Sequence, residues 1–249
     1  MPLCRFLCTA ILACLPLLAS AQALTISAAA SLTDAFKEIA ALFEAAHPGA
    51  KLRLNFAASG VLLQQIEQGA PVDVFASADQ ATMDRAAQAG RIDPASRRDF
   101  AANSLVLVAP VQDGPAIGAL AELRQPGIRR IAIGKPGTVP VGRYTRQALA
   151  HAGLWESLQP RLVQADSVRQ ALDYVSRGEV EAGFVYRTDA MLMAGKVRIL
   201  LTAGGHDPVT YPVAVVSDSK AASQARDFVD FLLQPPARQV LARYGFGQP

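Results

Sequence analysis

The segment Ala28-Ala29-Ala30-Ser31-Leu32-Thr33-Asp34-Ala35-Phe36, AAASLTDAF, decides the reading of the fold. Just before it, Leu24-Thr25-Ile26 alternates as a strand; after it, Leu32, Phe36, Ile39, Ala40 and Phe43 recur at the spacing of one helix face. A strand therefore runs through three small residues and a hydroxyl directly into a helix. The same switch of period, from 2 to 3.6, repeats along the chain and predicts an α/β protein.

Lys51 to Phe56 alternates as a half-buried strand and is followed by a helix through Leu62 and Ile66. Val72 to Phe75 reads as a short buried strand, and Met83 to Ala89 as a helix stopped by Gly90. Ser104 to Ala109 is the most apolar strand. Beyond it the rhythm restarts with strands at Ile131–Ile133, Leu162-Val163 and Ala182–Tyr186, separated by helices through Tyr144, Ala148 and Leu149 and through Val168, Leu172 and Val175. Two more strands, Val197–Leu201 and Tyr211–Val216, precede terminal helices over Ala221–Leu233 and Ala237–Tyr244. Two sets of strand–helix units predict two lobes of similar size, with no sequence repeat between them. In such sheets ligands sit beyond the carboxyl ends of the strands or between lobes, so the strand-to-helix turns are the places to examine.

Residues 1–23, MPLCRFLCTAILACLPLLASAQA, carry one charge at Arg5, an apolar run from Phe6 to Leu18 and small residues at Ala19, Ala21 and Ala23. This pattern predicts a signal peptide, cut after Ala21 or Ala23, and hence a periplasmic protein. Ile11 to Cys14 faintly resembles a lipoprotein box, but Leu15 to Leu18 would then stay at the anchored end, which argues against a lipid anchor. Cys4, Cys8 and Cys14 all fall in this segment, leaving the remainder without disulfide, thiolate metal site or cysteine nucleophile. Net charge is +3, one less without Arg5, and the basic residues are scattered. No basic stripe suits nucleic acid, and no later apolar run approaches the roughly 18 residues of a membrane span.

Ser31-Leu32-Thr33-Asp34 fits a capping box with Ser31 as N-cap, a purely structural use of that hydroxyl. Ala57-Ala58-Ser59-Gly60-Val61 repeats the arrangement, with glycine allowing close backbone approach. In the second half, Val139-Pro140-Val141-Gly142 places proline at a helix start, and Asp166-Ser167-Val168 opens another helix with Asp166 or Ser167 as cap. Such helix N-termini offer unpaired N–H donors and about half a positive charge, enough to hold an anion without Lys or Arg. Tyr186 ends a strand and reads either as a core aromatic or as a hydroxyl donor.

Together, AAASL at 28–32, FAASG at 56–60, GAPVDVFASAD at 69–79, NSLVLVAP at 103–110, VPVGRY at 139–144, DSVRQAL at 166–172, GFVYRTDA at 183–190, YPVAVV at 211–216 and RYGF at 243–246 resemble the periplasmic molybdate-binding proteins of ABC importers. Each motif alone is weak; the ordered set spans nearly the whole chain after residue 23. The resemblance implies a two-lobed type II periplasmic binding protein fold, with mixed, mostly parallel sheets and flanking helices. It implies residues 24–109 plus 211–249 as lobe 1, residues 110–210 as an inserted lobe 2, and hinges near Ala109-Pro110 and Thr210-Tyr211. It also implies a monomer that hands molybdate, and tungstate, to a membrane permease and needs no cofactor.

Carried over by motif, Ser31, Ser59, Val141, Val168 and Tyr186 would surround the anion. The serines would donate hydroxyl and backbone hydrogens, the valines backbone N–H, and Tyr186 its hydroxyl, all to the oxygens and none to the metal. Some relatives carry serine at the position of Ala58 and alanine at that of Val141. Arg143 and Arg169, beside these turns, read as solvated helix residues or salt-bridge partners. Sulfate or another oxyanion is the alternative ligand within this class. Catalysis would need a base near a serine, and His47, His151 and His206 belong to none of these turns; with Trp155 they read as structural.

Overall fold

A computed structural model of the chain describes residues 23–249. The expected signal peptide, apart from Ala23, and all three cysteines lie outside the described residues. The chain begins with β1 (Leu24–Ala29), α1 (Thr33–Ala46), β2 (Leu52–Ala57), α2 (Ser59–Glu67), β3 (Val74–Ala76), α3 (Gln80–Gln88) and β4 (Arg98–Asn103). It continues as β5 (Leu105–Pro110), β6 (Ile131–Gly134), α4 (Pro140–His151), α5 (Trp155–Leu158), β7 (Leu162–Ala165), α6 (Val168–Ser176), β8 (Ala182–Tyr186), α7 (Arg187–Leu192) and β9 (Val197–Thr202). It returns as β10 (Val209–Val215), α8 (Ala222–Leu232) and α9 (Pro235–Arg243).

Two five-stranded sheets result, ordered β2-β1-β3-β10-β4 and β7-β6-β8-β5-β9. The two orders correspond strand for strand although the sequences show no repeat. Both sheets are mixed and mostly parallel in strand direction: four strands of each run the same way and one, β10 or β5, runs against them, which gives each sheet two parallel and two antiparallel pairings. The reason is the crossing. β5 and β10 each arrive from the other lobe at the carboxyl end of the parallel strands, so each must run against them.

The passage between lobes falls at Ser104, not at Ala109-Pro110. Leu105 to Val108 pair with Tyr186 to Gly183, so β5 belongs wholly to the second sheet. The return lies between Thr202 and Val209, because Val209 and Thr210 already pair with Asn103 and Ala102 of the first sheet. Apolarity marked β5 as a buried strand but carried no information on its neighbours. β4 escaped the sequence reading because it is an edge strand, alternating poorly, with Arg98 and Asp99 exposed.

Amphipathic spacing explains the helix packing. Ala35, Phe36, Ile39, Ala40 and Phe43 form the buried face of α1. Phe228 of α8 meets Phe36 at 6.0 Å and Phe43 at 5.3 Å between ring centroids, edge to face, so the C-terminal helices close over the first sheet. Such pairs contribute about 0.5–1.5 kcal/mol each beyond burial. Among the described residues no helix is long and apolar enough to cross a membrane.

Candidate functional site

The carboxyl ends of β1, β2 and β3 face those of β6, β7 and β8, and the turns leaving them enclose a small cavity. After β1 the chain makes a single 3-10 turn over Ala30–Leu32 before α1 begins, with Leu32 in the cap position and no side-chain cap. Ser31 is therefore not the N-cap, and the capping box is not formed. Its Oγ lies instead 3.0 Å from the Tyr211 hydroxyl, while Asp34 pairs with Arg169 at 2.9 Å. The interposed turn has taken Ser31 off the helix axis and aimed it between the lobes.

Ser59 is the first residue of α2, and its Oγ accepts the Ala78 N–H at 3.0 Å, leaving the hydroxyl proton to donate elsewhere. Pro140 starts α4, as expected, and Val141 follows it. Ser167 is the N-cap of α6, accepting the Gln170 N–H at 3.2 Å, and Val168 is the first helical residue. Tyr186 is the last residue of β8.

The structure brings all five expected residues together: Ser31, Ser59, Val141, Val168 and Tyr186 line one cavity with Ala29, Ala30, Ala58, Ala78, Val139 and Pro140. Each is almost fully buried. The cavity leaves about 10 Å³ for the centre of a water-sized sphere, and no charged side chain lines it. Roomier hollows exist, such as one of about 580 Å³ bordered by Asp113, Arg177 and Lys196, but it brings none of these turns together.

Polar hydrogens converge here without internal partners. The backbone N–H groups of Ser31, Ser59, Val141 and Val168 have no acceptor among the described residues, as expected for the first turn of a helix. The Tyr186 hydroxyl is buried and likewise unpartnered. Burial, aided by the neighbouring Tyr211 and Tyr144, pushes its phenol well above the ordinary value, so it stays a protonated donor at neutral pH. A buried, unsatisfied hydroxyl costs roughly 1–3 kcal/mol, and a group that accepts its hydrogen would recover that cost.

None of the three histidines lines the cavity. His47 Nδ1 lies 3.0 Å from the Phe43 carbonyl, His206 Nε2 lies 3.0 Å from that of Ala203, and His151 packs by Gly205.

Residues 24–247 match the family model described as bacterial extracellular solute-binding protein. The chain belongs to this family. It is 42% identical to the molybdate-binding protein ModA of Escherichia coli, over 92% of this chain and 90% of that one. It is 36% identical to the putative ABC transporter substrate-binding lipoprotein YvgL of Bacillus subtilis, over 90% and 85% of the two chains. Among solved structures, the Azotobacter vinelandii periplasmic molybdate-binding protein aligns with a TM-score of 0.79 at 26% identity, covering 91% of this chain and 99% of that one.

In this solute-binding protein the lobes are closed on the cavity. The Gly60 N–H donates to the Thr138 carbonyl across the cleft at 3.0 Å. Arg143 of α4 reaches over to Asp79, with Nε 2.6 Å from Oδ2, and to the Thr82 hydroxyl at 2.5 Å. Arg169 of α6 pairs with Asp34 across the cleft and, within its own lobe, lies 2.6 Å from the buried Asp189, off the hydrogen-bond line and so chiefly as a charge contact. Burial raises the Asp189 carboxyl to about 6, opposed by the Arg169 charge. Both arginines are thus salt-bridge partners and not solvated residues. Their acidic partners, and the Tyr211 contact, went unassigned in the sequence reading. The YPVAVV motif held Tyr211, but nothing local joins it to Ser31, 180 positions away.

Proposed function

We propose that this solute-binding protein captures molybdate, and also tungstate, between its lobes and delivers it from the periplasm to an ABC permease. The observation that carries the reading is the set of inward donors without charge: two serine hydroxyls, the Tyr186 hydroxyl and the free N–H groups at the starts of α2, α4 and α6. Ser31, Ser59, Val141, Val168 and Tyr186 would hold the anion's oxygens; none would touch the metal. Hydrogen bonds to a charged acceptor contribute about 1.5–3 kcal/mol each, and helix N-termini add a favourable field. Molybdate, tungstate and sulfate are fully ionised near pH 7 and only accept hydrogen bonds, whereas hydrogen phosphate brings a proton that needs an acceptor. Sulfate would be rejected by size alone. The similarity to molybdate-binding proteins over nine-tenths of the chain supports the same ligand. The protein acts as a single chain, opens about the strand crossings at Ser104 and between Thr202 and Val209, and binds without catalysis.

Thermal unfolding with molybdate, tungstate, sulfate or phosphate tests this. Ligand at a hundredfold excess over its Kd adds about 2.7 kcal/mol. For a chain of this size that raises Tm by roughly 5–10 °C. The expected result is a rise with molybdate and tungstate alone. A rise with sulfate alone would change the ligand, and no rise with any oxyanion would reduce the donor turns to helix starts.

A further inference from the structure

The Ser31 hydroxyl is tied to the strands that cross between the lobes. Asn103, the last residue of β4, accepts the Ser104 N–H on Oδ1 at 2.8 Å. A backbone N–H can only donate, so this contact fixes which end of the amide is oxygen. The amide Nδ2 therefore points the other way and donates twice, to Thr188 Oγ1 at 2.9 Å and to the Tyr211 hydroxyl at 3.2 Å. Tyr211 is fully buried and sits where β10 carries an irregularity in its pairing with β4, between Tyr211 and Pro212. Its oxygen lies 3.0 Å from Ser31 Oγ, and either could be donor by distance alone. The amide decides. It can only donate to the Tyr211 oxygen, so among the described residues Ser31 Oγ is the one acceptor left for the tyrosine hydrogen. Satisfying that buried hydrogen puts it on Ser31 Oγ and leaves the Ser31 proton to face the cavity.

We propose that Tyr211, oriented by Asn103, is a positioning residue that fixes the direction of the Ser31 hydroxyl, so that Ser31 serves as a donor and not as an acceptor. The inference rests on reading the cavity as an oxyanion site. It assigns to residues outside the cavity the choice between acceptor-only anions and anions that carry a proton. Ser59 is set in the same sense by the Ala78 N–H, so both serines present hydrogens inward. The Asn103–Tyr211 contact also joins the outgoing strand β4 to the returning strand β10, and Thr188 joins it to the second lobe, which couples the donor state of Ser31 to the crossing itself.

A double-mutant cycle read by calorimetric titration with molybdate tests the relay. Asn103→Asp replaces the amide donor with an acceptor. Tyr211 then turns its proton toward position 103, Ser31 must donate to Tyr211, and the serine meets the anion oxygen to oxygen. Asn103→Asp should weaken molybdate binding at least about tenfold in the otherwise unchanged protein, the loss of one hydrogen bond and its replacement by repulsion. In a Tyr211→Phe background, where the relay is already cut, the same substitution should cost less than about threefold, a coupling of the size cycles resolve. A through-space effect of the new charge, or a packing defect, would act with or without the tyrosine hydroxyl, so equal costs in both backgrounds would overturn the inference. Thermal unfolding of each variant without ligand confirms that it is folded. Failure of the unsubstituted protein to bind molybdate would instead overturn the oxyanion reading, and this inference with it.

Discussion

At the scale of single residues, the most informative atom is the Tyr186 hydroxyl. It is buried at the end of β8 with no partner among the described residues, which makes it a cost to the ligand-free protein. Tyr186→Phe should leave ligand-free stability unchanged or raise it by up to about 1 kcal/mol, measured by urea denaturation, while weakening molybdate binding about tenfold or more. Destabilisation of the ligand-free protein would show that the hydroxyl is satisfied within the fold. Local sequence marked the helix starts that hold Ser59, Val141 and Val168 and the strand end at Tyr186, but the family resemblance was needed to single these residues out. Ser31 was legible as a site residue but not in its geometry. The capping box is a local pattern, and it lost to a 3-10 turn that places Ser31 against Tyr211.

At the scale of elements, two glycines separate closure from folding. A Cβ at Gly60, near the start of α2, would lie 2.5 Å from the Thr138 carbonyl oxygen of the opposite lobe, whereas one at Gly142 in α4 would lie 2.0 Å from the Gly134 carbonyl oxygen of its own lobe. Gly60→Ala therefore obstructs only the closed arrangement. It should lower molybdate affinity at least about tenfold, since the ligand can hold the lobes shut only by its differential affinity for that state. Ligand-free stability should stay within about 1 kcal/mol, because alanine also favours the helix. Gly142→Ala should unfold lobe 2 at lower temperature instead. Comparable losses of ligand-free stability in the two variants would refute this division. The sequence marked Gly60 as a place of close backbone approach and Gly142 only as part of a helix start; the packing alone shows which faces the other lobe.

At the scale of the whole molecule, Arg169 links the buried Asp189 to Asp34 across the cleft. Asp189 binds its proton more tightly folded, at about 6, than its ordinary 3.8. The stability it contributes is therefore full below about pH 4 and is lost as pH rises through about 6. Arg169→Gln would leave that carboxylate buried without its cation, at a cost of about 3 kcal/mol at pH 7.5. The cost should shrink as pH falls toward 4.5 and Asp189 takes up a proton. Denaturation of both proteins across that range checks the sign, and a pH-independent difference would reject it. The sequence by itself determined the α/β class, the two-lobed plan, most elements and the turns that line the cavity, because hydrophobic period, turn chemistry and helix starts are written within a few consecutive residues. The choice of five residues within those turns came from the ordered motifs that resemble the molybdate-binding family. Tertiary structure alone decided that β5 belongs to the second lobe, that half the strand pairings are antiparallel, that Arg143 and Arg169 clasp the cleft, and that Asn103 and Tyr211 set the Ser31 proton. Those features depend on which distant segments meet, and such meetings are fixed by packing over the whole chain and not by any local run of residues.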